Sequence, residues 1–554
     1  MLLETRAVLE RVLRETTGME DVQLAEGGEH ADLATTIAFT LAKQKKQAPP
    51  GIAQDLAAEL SKHPALKGIH VVAKGPYINF VFGKEYVSEA VKAAVKPGYG
   101  SLPRKGTRVV LEHTSANPNG PLHVGHIRNS IIGDTLARAF RKAGYRLEVQ
   151  YYVNDMGRQI AIVVWGFTHL DSTRHEGEKE DAHIARIYIA ANREIEKDPA
   201  ITLQVNELMQ QVEKGDITTV KKFRNEVSRC LDGFMVTMKN LHVAHDRFVW
   251  ESDFIRNGYT DRIIGRIKKL PQAKEDETLA LDLSEFGFEN KYVIRRSDGT
   301  SVYAARDLAF HAWKGANFDR VIDVLGADHK LIGAQLQCTM KLLGEKVPEI
   351  VHFEFVSLPE GSMSTRAGTF IPADDLITEI NKRAFDEVTV RRPELNEPAR
   401  RAIAQSVGLA AIRYDIVKVS PEKSTVFDWK EALDFERQSG PYIQYSHARA
   451  CSILEKAGPF EECYELETPT EIALAKQIAK LPMVIERVIA ELRPHILATY
   501  SRELADTFNS FYHFDPVLKS EGNVRNRRLT LVKAAQNTLK ESLETLGIDA
   551  ISTM

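Results

Sequence analysis

The stretch from residue 108 to residue 153 most constrains how this chain can fold. It begins with a short apolar run, RVVLEH. It continues through HIRNSIIGDTLARAFRKAG, which has helical periodicity and ends near Gly144, and it closes with a second apolar run, RLEVQYYV. Two strands joined by a helix within this length predict a βαβ unit with parallel strands and a right-handed crossover. We therefore predict an α/β multidomain protein whose core is a Rossmann-like parallel sheet.

Further regions surround this core. The chain has 554 residues, which is too long for a single hydrophobic core. An α+β pattern precedes the sheet, a polar helical insertion interrupts it at about 160–250, and helical periodicity dominates the end of the chain. The predicted domains are an N-terminal α+β domain at 1–100, the sheet domain at 105–355, a connecting region at 356–428 and an all-α domain at 429–554.

Composition narrows the class of protein. A net charge of −3 excludes a uniformly basic nucleic-acid binder but permits local basic stripes. The four cysteines are widely spaced, and the closest pair, Cys451 and Cys463, has none of the usual zinc spacings. We therefore expect reduced thiols in a cytoplasmic protein. We expect neither a signal peptide nor a membrane span, because the first residues are charged throughout and no apolar run approaches about 20 residues.

The segment SANPNGPLHVGH, between the first strand and the helix, has the composition of a ligand-binding turn. In open parallel sheets, ligands bind at the carboxyl ends of strands, beside helix N-termini that favour phosphate groups. Gly120 and Gly125 let a ligand approach the backbone, and His123 and His126 add two hydrogen-bond donors on one side of the first helical turn. The alternative is a stiff turn whose residues only cap the helix.

Read together with the rest of the chain, LEHTSANPNGPLHVGHIRNSIIGDTLARAF resembles the nucleotide-binding signature of class I aminoacyl-tRNA synthetases, specifically the arginyl-tRNA synthetases. HVGH stands where that class has its HIGH motif, and GSMSTRAGTFIPADDLI is similar to its KMSKS loop. ALDFERQSGPYIQYSHARACSILEKAG and the final helix resemble the family's all-α anticodon-binding domain, and the first 100 residues resemble its N-terminal additional domain. The resemblance therefore covers almost the whole chain.

The resemblance implies ATP-dependent attachment of arginine to its tRNA through arginyl-adenylate, with AMP and pyrophosphate released. Alignment and charge stabilisation dominate such a reaction, and Mg²⁺ is expected on the ATP phosphates, with no metal ligand named in the protein. The implied catalytic residues are His123, His126 and Arg366. The implied ATP-binding residues are His123, Gly125, His126, Asp328, His329, Met363 and Ser364.

Substrate arginine requires carboxylates, because its guanidinium is always charged and carries five donors. Tyr303 and Asp307 are four apart at a helix start and so share a face. The residues that the resemblance assigns to arginine are Glu112, Asn117, Glu251, Tyr303, Asp307 and Asp328. The alternative for any single carboxylate is a solvated surface group or a helix cap.

The sequence departs from the class pattern at one point. The second motif usually carries a lysine that stabilises pyrophosphate, but Thr365 stands there, and the place just before the first motif, where many arginyl enzymes have a lysine, holds Gly120. We expect Arg366 to substitute, with Arg128 and Lys330 as other candidates.

The tRNA is expected to contact both ends of the chain. Aromatic and basic groups in close succession are typical of proteins that stack on single-stranded RNA. The residues expected to bind tRNA are Tyr77, Asn79, Phe82, Tyr442, Gln444, Tyr445, Arg449, Arg525 and Arg528, the first three on the D-loop. The alternatives are a buried hairpin, an amphipathic core helix and an ordinary solvated face.

Three hypotheses for the whole chain remain: a monomeric arginine–tRNA ligase, a catalytically silent tRNA-binding relative, or a different HxGH nucleotidyltransferase that needs no RNA. The two absent lysines suggest the silent relative, whereas the retained histidines and the YAARD segment argue against it. The long helical C-terminal region argues against the third hypothesis. We favour the ligase, with pyrophosphate exchange that requires tRNA.

Overall fold

The computed structural model describes residues 2–28, 31–297, 302–357 and 371–554. An α+β unit comes first along the chain. Its elements are α1 (Leu2–Thr17), β1 (Ala25–Glu26), β2 (Leu33–Thr35), α2 (Ile37–Lys45), α3 (Pro49–Leu60), β3 (Ile69–Lys74), β4 (Tyr77–Phe82) and α4 (Lys84–Ala94). The four strands form one antiparallel sheet in the order β1-β2-β4-β3.

The N-terminal unit contains a strand–turn–strand at residues 69–82, where β3 and β4 pair along their full length, as the alternation in IHVVAKGPYINFVF predicts. Residues 37–60 form two helices, α2 and α3, and the break predicted at Pro49 and Pro50 is confirmed. Both prolines lie in the first turn of α3, where proline has no hydrogen bond to lose and its fixed φ favours helix. The two prolines therefore separate the helices by starting the second one.

The central sheet domain follows the N-terminal unit. Its elements, with the helical insertion in the middle, are β5 (Arg108–Glu112), α5 (Val124–Lys142), β6 (Arg146–Val153), α6 (Arg158–His169), α7 (Glu180–Lys197), α8 (Ile201–Glu213), α9 (Ile217–Asn240), β7 (Arg247–Trp250), α10 (Glu251–Arg256), α11 (Tyr259–Ile267), β8 (Ala273–Glu275), β9 (Leu279–Leu281), β10 (Tyr292–Arg295), α12 (Tyr303–Asn317), β11 (Arg320–Gly326), α13 (Lys330–Leu342), β12 (Glu349–Phe353) and β13 (Val356–Ser357).

Five of these strands form the parallel sheet that the sequence predicts, in the order β12-β11-β5-β6-β7. The central strand β5 is buried from Val109 to Glu112, as expected for a strand covered on both faces. Helix α5 packs closely over the end of β5, because Gly133 has no side chain and a Cβ there would lie 2.3 Å from the His113 ring. The sheet thus brings the carboxyl ends of β5, β6, β7 and β11 to one edge.

A second sheet has three antiparallel strands in the order β10-β9-β8. The segment YVIRRSDGTSVY has the pattern of a hairpin with an Asp-Gly turn. Its first part forms β10, and the Val302 N–H donates to Ile294 O at 3.2 Å. Tyr303 is the first residue of α12, in agreement with the predicted helix start. The proposed Asp-Gly turn at 298–299 lies outside the described residues.

The C-terminal part of the chain is helical, as predicted. Its elements are α14 (Ala373–Arg391), α15 (Glu397–Val417), β14 (Thr425–Val426), α16 (Trp429–Ala432), α17 (Gly440–Ala457), α18 (Pro469–Ala479), α19 (Leu481–Glu491), α20 (His495–Phe514) and α21 (Gly522–Thr545). Strand β14 pairs with β13 and so joins this part to the sheet domain. Among the described residues, no helix combines the length and apolar character needed to cross a membrane.

A buried arginine fastens the C-terminal helices to the sheet domain. Arg413 on α15 is fully buried and donates to the Asp134 carboxylate on α5 at 2.6 Å. Its other donors reach the backbone carbonyl oxygens of Leu241 at 2.6 Å and Leu546 at 2.7 Å. Gly547 makes room for the guanidinium, since a Cβ there would lie 2.2 Å from it. The insertion, α5 and the chain end are therefore held to one another at this point.

Candidate active site

The two histidines of the first motif lie at the start of α5 and contact each other. His123 is the residue that caps the helix: its Nδ1 accepts from the Gly125 N–H at 3.1 Å, while Nδ1 of His126 accepts from the His123 N–H at 3.2 Å. The two rings stack with centroids 3.6 Å apart. The alternative stated above, that these residues cap the helix, is therefore correct for the Nδ1 atoms of both histidines. Because Nδ1 accepts a hydrogen bond in each ring, the proton of each neutral imidazole lies on Nε2.

Burial keeps both imidazoles neutral near pH 7. It lowers the pKa of His123 to about 4 and that of His126 to about 3, the second also because of its neighbour. A neutral ring whose Nδ1 accepts a hydrogen bond carries its proton on Nε2, so each ring presents an Nε2–H donor. Gly125 is required here, since a Cβ would lie 2.9 Å from the His123 ring. The arrangement offers donors beside a helix N-terminus.

The turn between β5 and α5 holds an unusual backbone. Thr114 and Ser115 both have positive φ, 71° and 35°, which is rare for residues other than glycine and typical of strained functional turns. The strain is supported by side chains: Asn129 accepts from the Thr114 N–H at 2.8 Å, and Ser115 Oγ donates to Glu112 at 2.8 Å. This turn could not be predicted from the sequence, because neither residue is glycine.

The structure brings the loop of the first motif close to the predicted arginine residues. Asn154, just after β6, donates from Nδ2 to Asn117 Oδ1 at 3.1 Å. Gly157 lies beside it, and a Cβ on Gly157 would be 2.8 Å from the Tyr303 hydroxyl and 3.3 Å from Asn154 Oδ1. Asn117 and Tyr303 therefore lie in one neighbourhood, with Asn154 between them. Asn154 was not predicted, and its signal was its place at a strand end.

Glu251 and Asp307 contribute acidity to the same edge. Glu251 begins α10, is buried, and pairs with Arg306 at 3.2 Å. Burial raises the pKa of Glu251 to about 7, although Arg306 opposes this shift. Asp307 lies one turn along α12 from Tyr303, and its side chain is 34% exposed. The exposed groups available to a ligand are thus Tyr303 and Asp307, with Glu251 below them.

Beneath Asp307 lies a buried group of charges that the sequence did not reveal. Lys314 on α12 is fully buried, contacts Oε2 of Glu112 and lies 2.7 Å from Oδ1 of Asp323. His311 lies between Asp323 and Asp307: its Nε2 is 2.8 Å from the Asp323 carboxylate, and its Nδ1 is 3.0 Å from the Asp307 carboxylate and 2.9 Å from the Asp307 backbone oxygen. The available signal was a histidine and a lysine inside the otherwise apolar segment LAFHAWKGA.

Glu112 lies deeper than expected. One carboxylate oxygen contacts the Lys314 ammonium and the other accepts from Ser115 Oγ. It is therefore better placed to support the site than to touch arginine. Glu112, His311 and Asp323 are also the one grouping within the described residues that could hold a metal ion, but the Lys314 ammonium contacts two of them. The structure thus explains this cluster without a metal.

Of the residues predicted to bind the nucleotide after β11, some lie at the edge of the sheet and others lie outside the described residues. Asp328 and His329 follow β11 and are exposed at the edge of the sheet. Met363, Ser364 and Arg366 lie outside the described residues, as does Thr365. The chain that follows them returns to the first motif, where Pro372 forms a bridge with His123 and the Ala373 N–H donates to Leu122 O at 2.7 Å. The segment after the second motif therefore lies against the first motif.

The two described candidates for replacing the absent lysine, Arg128 and Lys330, differ in exposure. The prediction that Arg128 contacts pyrophosphate is wrong, because Arg128 is fully buried and donates to backbone carbonyl oxygens, including those of Glu354 at 2.8 Å and Lys423 at 2.7 Å. Burial lowers its pKa to about 10. Lys330 remains at the edge of the sheet, half exposed and paired with Glu354 at 2.7 Å. Gly120 packs against Ala185, 3.0 Å from where its Cβ would be.

Several predicted tRNA contacts are buried. Asn79 and Phe82 lie in the N-terminal core, and Gln444 is fully buried and donates to Asp549 O at 2.8 Å, so direct RNA contact by these three is wrong. Arg528 is almost buried between Glu471 and Asp515, at 3.1 Å and 2.8 Å. The Arg528 guanidinium therefore pairs with carboxylates inside the domain, and the prediction that Arg528 binds tRNA is wrong as well.

Other predicted tRNA contacts remain at the surface. Tyr77 is 47% exposed and lies against the exposed ring of Phe39, which the sequence analysis missed. Arg449 lies over the exposed ring of Tyr445 at 4.7 Å and near Tyr512 at 5.7 Å. Two further residues predicted to bind tRNA form hydrogen bonds within the protein. Tyr442 donates to Asp506 at 2.8 Å, and Arg525 donates to Ala457 O at 2.8 Å.

Comparison with known proteins covers the whole chain. Residues 90–429 match the family model described as tRNA synthetases class I (R), catalytic domain. Residues 5–82 match the arginyl tRNA synthetase N terminal domain, and residues 443–554 match the DALR anticodon binding domain. These matches correspond to the N-terminal unit, the sheet domain with its connecting helices, and the C-terminal helices.

Similar proteins are found among both curated sequences and solved structures. Two relatives named arginine–tRNA ligase, from Methanoregula boonei and Methanosphaerula palustris, are 75% and 66% identical, and each alignment covers 100% of both chains. The Thermus thermophilus arginyl-tRNA synthetase structure matches with a TM-score of 0.88 at 30% identity, covering 99% of this chain and 100% of that one. A Plasmodium falciparum arginyl-tRNA synthetase shares the fold, with a TM-score of 0.84 at 18% identity.

Proposed function

This chain belongs to the arginyl-tRNA synthetase family, and we propose from that premise how its own residues divide the work. The family reaction is the ATP-dependent attachment of arginine to its cognate tRNA. It proceeds through arginyl-adenylate and releases AMP and pyrophosphate. The carboxylate of arginine attacks the α-phosphate of ATP, and a ribose hydroxyl of the tRNA end then takes the arginyl group. Neither step needs a protein nucleophile, so positioning and charge stabilisation carry the catalysis.

His123 and His126 bind the ATP phosphates. Their Nδ1 atoms are used in capping α5, so the protons lie on Nε2, and the helix N-terminus adds backbone N–H groups and a partial positive charge. Neutral imidazoles donate hydrogen bonds without changing charge near pH 7. ATP enters as its magnesium complex, with Mg²⁺ held chiefly by phosphate oxygens. Asp328 and His329 lie where the ribose or base would contact the edge of the sheet.

Arginine binds beside Tyr303 and Asp307. Asp307 is the exposed carboxylate of the acidic group and Tyr303 the exposed aromatic one, four residues apart on one face of α12. Asn117 and Asn154 supply amide groups on the side of the ATP loop, where the carboxylate of arginine must reach the α-phosphate. Glu251 adds negative charge from below. Lys330 is the described candidate for stabilising pyrophosphate, and Arg366 remains a prediction.

The tRNA is held at both ends of the chain. We place the anticodon at Tyr445, Arg449 and Tyr512, where a guanidinium lies between exposed rings, and the D-loop at Tyr77 and Phe39. The proposed domains remain 1–100, 105–355, 356–428 and 429–554. On the family resemblance we propose a cytoplasmic enzyme that works as a monomer.

The observation that carries this proposal is the shared neighbourhood of Asn117, Asn154 and Tyr303, which joins the ATP loop to the acidic edge. Aminoacylation of an arginine tRNA, with pyrophosphate exchange measured with and without tRNA, tests it. We expect charging that depends on arginine and ATP, and exchange that depends on tRNA. A chain that binds tRNA but forms neither AMP nor charged tRNA would instead be the catalytically silent relative.

A further inference from the structure

A connected set of charges runs under the proposed arginine pocket. We call it the Lys314 cluster; its members are Glu112, Asp307, His311, Lys314 and Asp323. Carboxylates and cations alternate along it, each member touching the next. Four members are buried, and only Asp307 reaches solvent. Three elements build it, because Glu112 ends β5, Asp323 lies on β11 beside it in register, and the other three project from α12.

We propose that His311 and Lys314 are positioning residues that limit the excess charge of the arginine pocket to one negative charge, which matches the single positive charge of the arginine side chain. The inference rests on the proposed function, in which Asp307 meets the guanidinium. Neither residue touches arginine in this account. They act through Asp307, whose carboxylate His311 holds from behind.

The cluster contains three carboxylates and two cations, so one negative charge is in excess when all are ionised. Lys314 lies between Glu112 and Asp323, and His311 between Asp323 and Asp307, so the alternation ends in a carboxylate on both sides. Glu112 is the buried end, where desolvation raises its pKa although Lys314 opposes this shift. Asp307 is the end that reaches solvent and that a ligand can meet. A cationic ligand at Asp307 pairs with this carboxylate, and a neutral ligand of the same shape does not.

The neighbouring groups do not cancel this excess. From α10, Glu251 faces the cluster but is already paired with Arg306. From β6, the Tyr152 phenol is buried, and burial raises its pKa well above the ordinary value, so it stays neutral. The pKa of His311 is raised to about 10: burial and Lys314 act to lower it, but the carboxylates of Asp323 and Asp307 outweigh them. His311 is therefore a cation across the physiological range.

Citrulline provides the test, because it replaces the charged guanidinium of arginine with a neutral ureido group of nearly the same shape. The measurement is the ratio of the citrulline inhibition constant to the arginine KM in aminoacylation by the full-length protein with tRNA. His311→Gln can still bond Asp323 but carries no charge, so the excess grows from one negative charge to two. We expect its arginine KM to fall and the ratio to rise by about tenfold, equivalent to one pKa unit of interaction. Its ATP KM and its kcat at saturating arginine should stay within about threefold of wild type.

Two control variants distinguish an effect of His311 on the pocket charge from a general loss of protein stability. Leu308→Ala removes a buried side chain from the same helix without changing charge, so it should lower Tm yet leave the ratio unchanged. His311→Lys restores a cation and should return the ratio toward the wild-type value. If His311→Gln does not fold, Asp323→Asn is informative, because it removes a carboxylate that raises the pKa of His311. His311 should then lose its proton at a lower pH, and the ratio should rise more steeply than that of wild type between pH 6 and pH 9.

The outcomes distinguish this inference from the proposed function. If Asp307→Asn collapses the ratio but His311→Gln leaves it unchanged, the pocket is correct and the positioning role is overturned. If Asp307→Asn also leaves the ratio unchanged, the pocket assignment fails with it. Equal weakening of arginine and citrulline by His311→Gln would show a structural role only and would equally overturn the inference.

Discussion

Two buried ion clusters in this chain differ in how their charges are balanced. In the Arg413 cluster, Asp134 pairs with the buried Arg413 and with the partly exposed Arg138, and Arg413 also donates to backbone carbonyl oxygens of other elements. The Lys314 cluster has more carboxylates than cations, and its last member, Asp307, is exposed. Burial of charge alone therefore does not mark a functional site here. The Lys314 cluster is distinguished by an excess of carboxylates, one of which reaches solvent beside the ATP loop.

The largest effect should come from breaking the Arg413 cluster. Arg413→Met removes a buried cation, leaves the carbonyl oxygens of Leu241 and Leu546 without this donor, and leaves Asp134 paired with Arg138 alone. We expect the free energy of unfolding to fall by about 3–5 kcal/mol, as for other broken buried pairs. Urea unfolding followed by circular dichroism measures it. At a temperature where the variant is folded, its KM values for arginine and ATP should match wild type, and a selective loss of arginine binding would contradict the comparison.

The next effect concerns the exposed end of the Lys314 cluster. Asp307→Asn keeps the shape of the side chain but removes the charge that we assign to the guanidinium. The kcat/KM for arginine should fall by about 2–5 kcal/mol of transition-state stabilisation, whereas the ATP KM should change little. Steady-state aminoacylation with each substrate varied gives both numbers. Equal losses for arginine and ATP would argue against the assigned pocket.

A smaller effect is expected far from both clusters. Arg449→Ala removes the guanidinium that lies over Tyr445 and near Tyr512 on the surface of the C-terminal helices. We expect tRNA affinity to fall by about 1–3 kcal/mol, the range for stacking contacts with one base. Filter binding of an arginine tRNA measures it, with Arg528→Lys as a variant whose ion pairs are internal. Retained tRNA affinity in Arg449→Ala would place the anticodon elsewhere.

The smallest effect is a pH dependence from Glu251. Burial raises its pKa to about 7, so it is largely protonated below pH 6 and ionised above pH 8. Ionisation adds negative charge beneath the pocket, facing Arg306, Tyr152 and Asp307. The arginine KM should therefore decrease as pH rises through 7, by at most about tenfold. Glu251→Gln should flatten this dependence, and an unchanged profile in that variant would assign it to another group.

The parts of the fold that could be predicted are those whose sequence pattern lies within one continuous segment of the chain. The apolar run at 108–112, the periodic helix after it and the HVGH segment at its start sufficed to predict the parallel sheet and the histidine pair. The strained turn at Thr114 and Ser115 could not be predicted, because its support comes from Asn129 and Glu112 rather than from glycine.

Residues that depend on three-dimensional packing were the ones mispredicted. Asn79, Gln444 and Arg528 have the composition of RNA contacts, yet a polar residue with a buried partner looks the same in sequence as an exposed one. The Lys314 cluster was missed for the same reason. Its members come from β5, α12 and β11, and only the sheet register places Glu112 beside Asp323.

The most direct test of the central claim compares the two clusters in one experiment. Arg413→Lys and Asp307→Asn each alter one charged contact, and for both the arginine KM in aminoacylation and the urea midpoint of unfolding are measured under the same conditions. We predict that Arg413→Lys lowers the urea midpoint with a wild-type arginine KM, and that Asp307→Asn raises the arginine KM at least about tenfold with a wild-type midpoint. If both variants change stability and arginine KM together, the division between a structural and a substrate-directed ion cluster is contradicted.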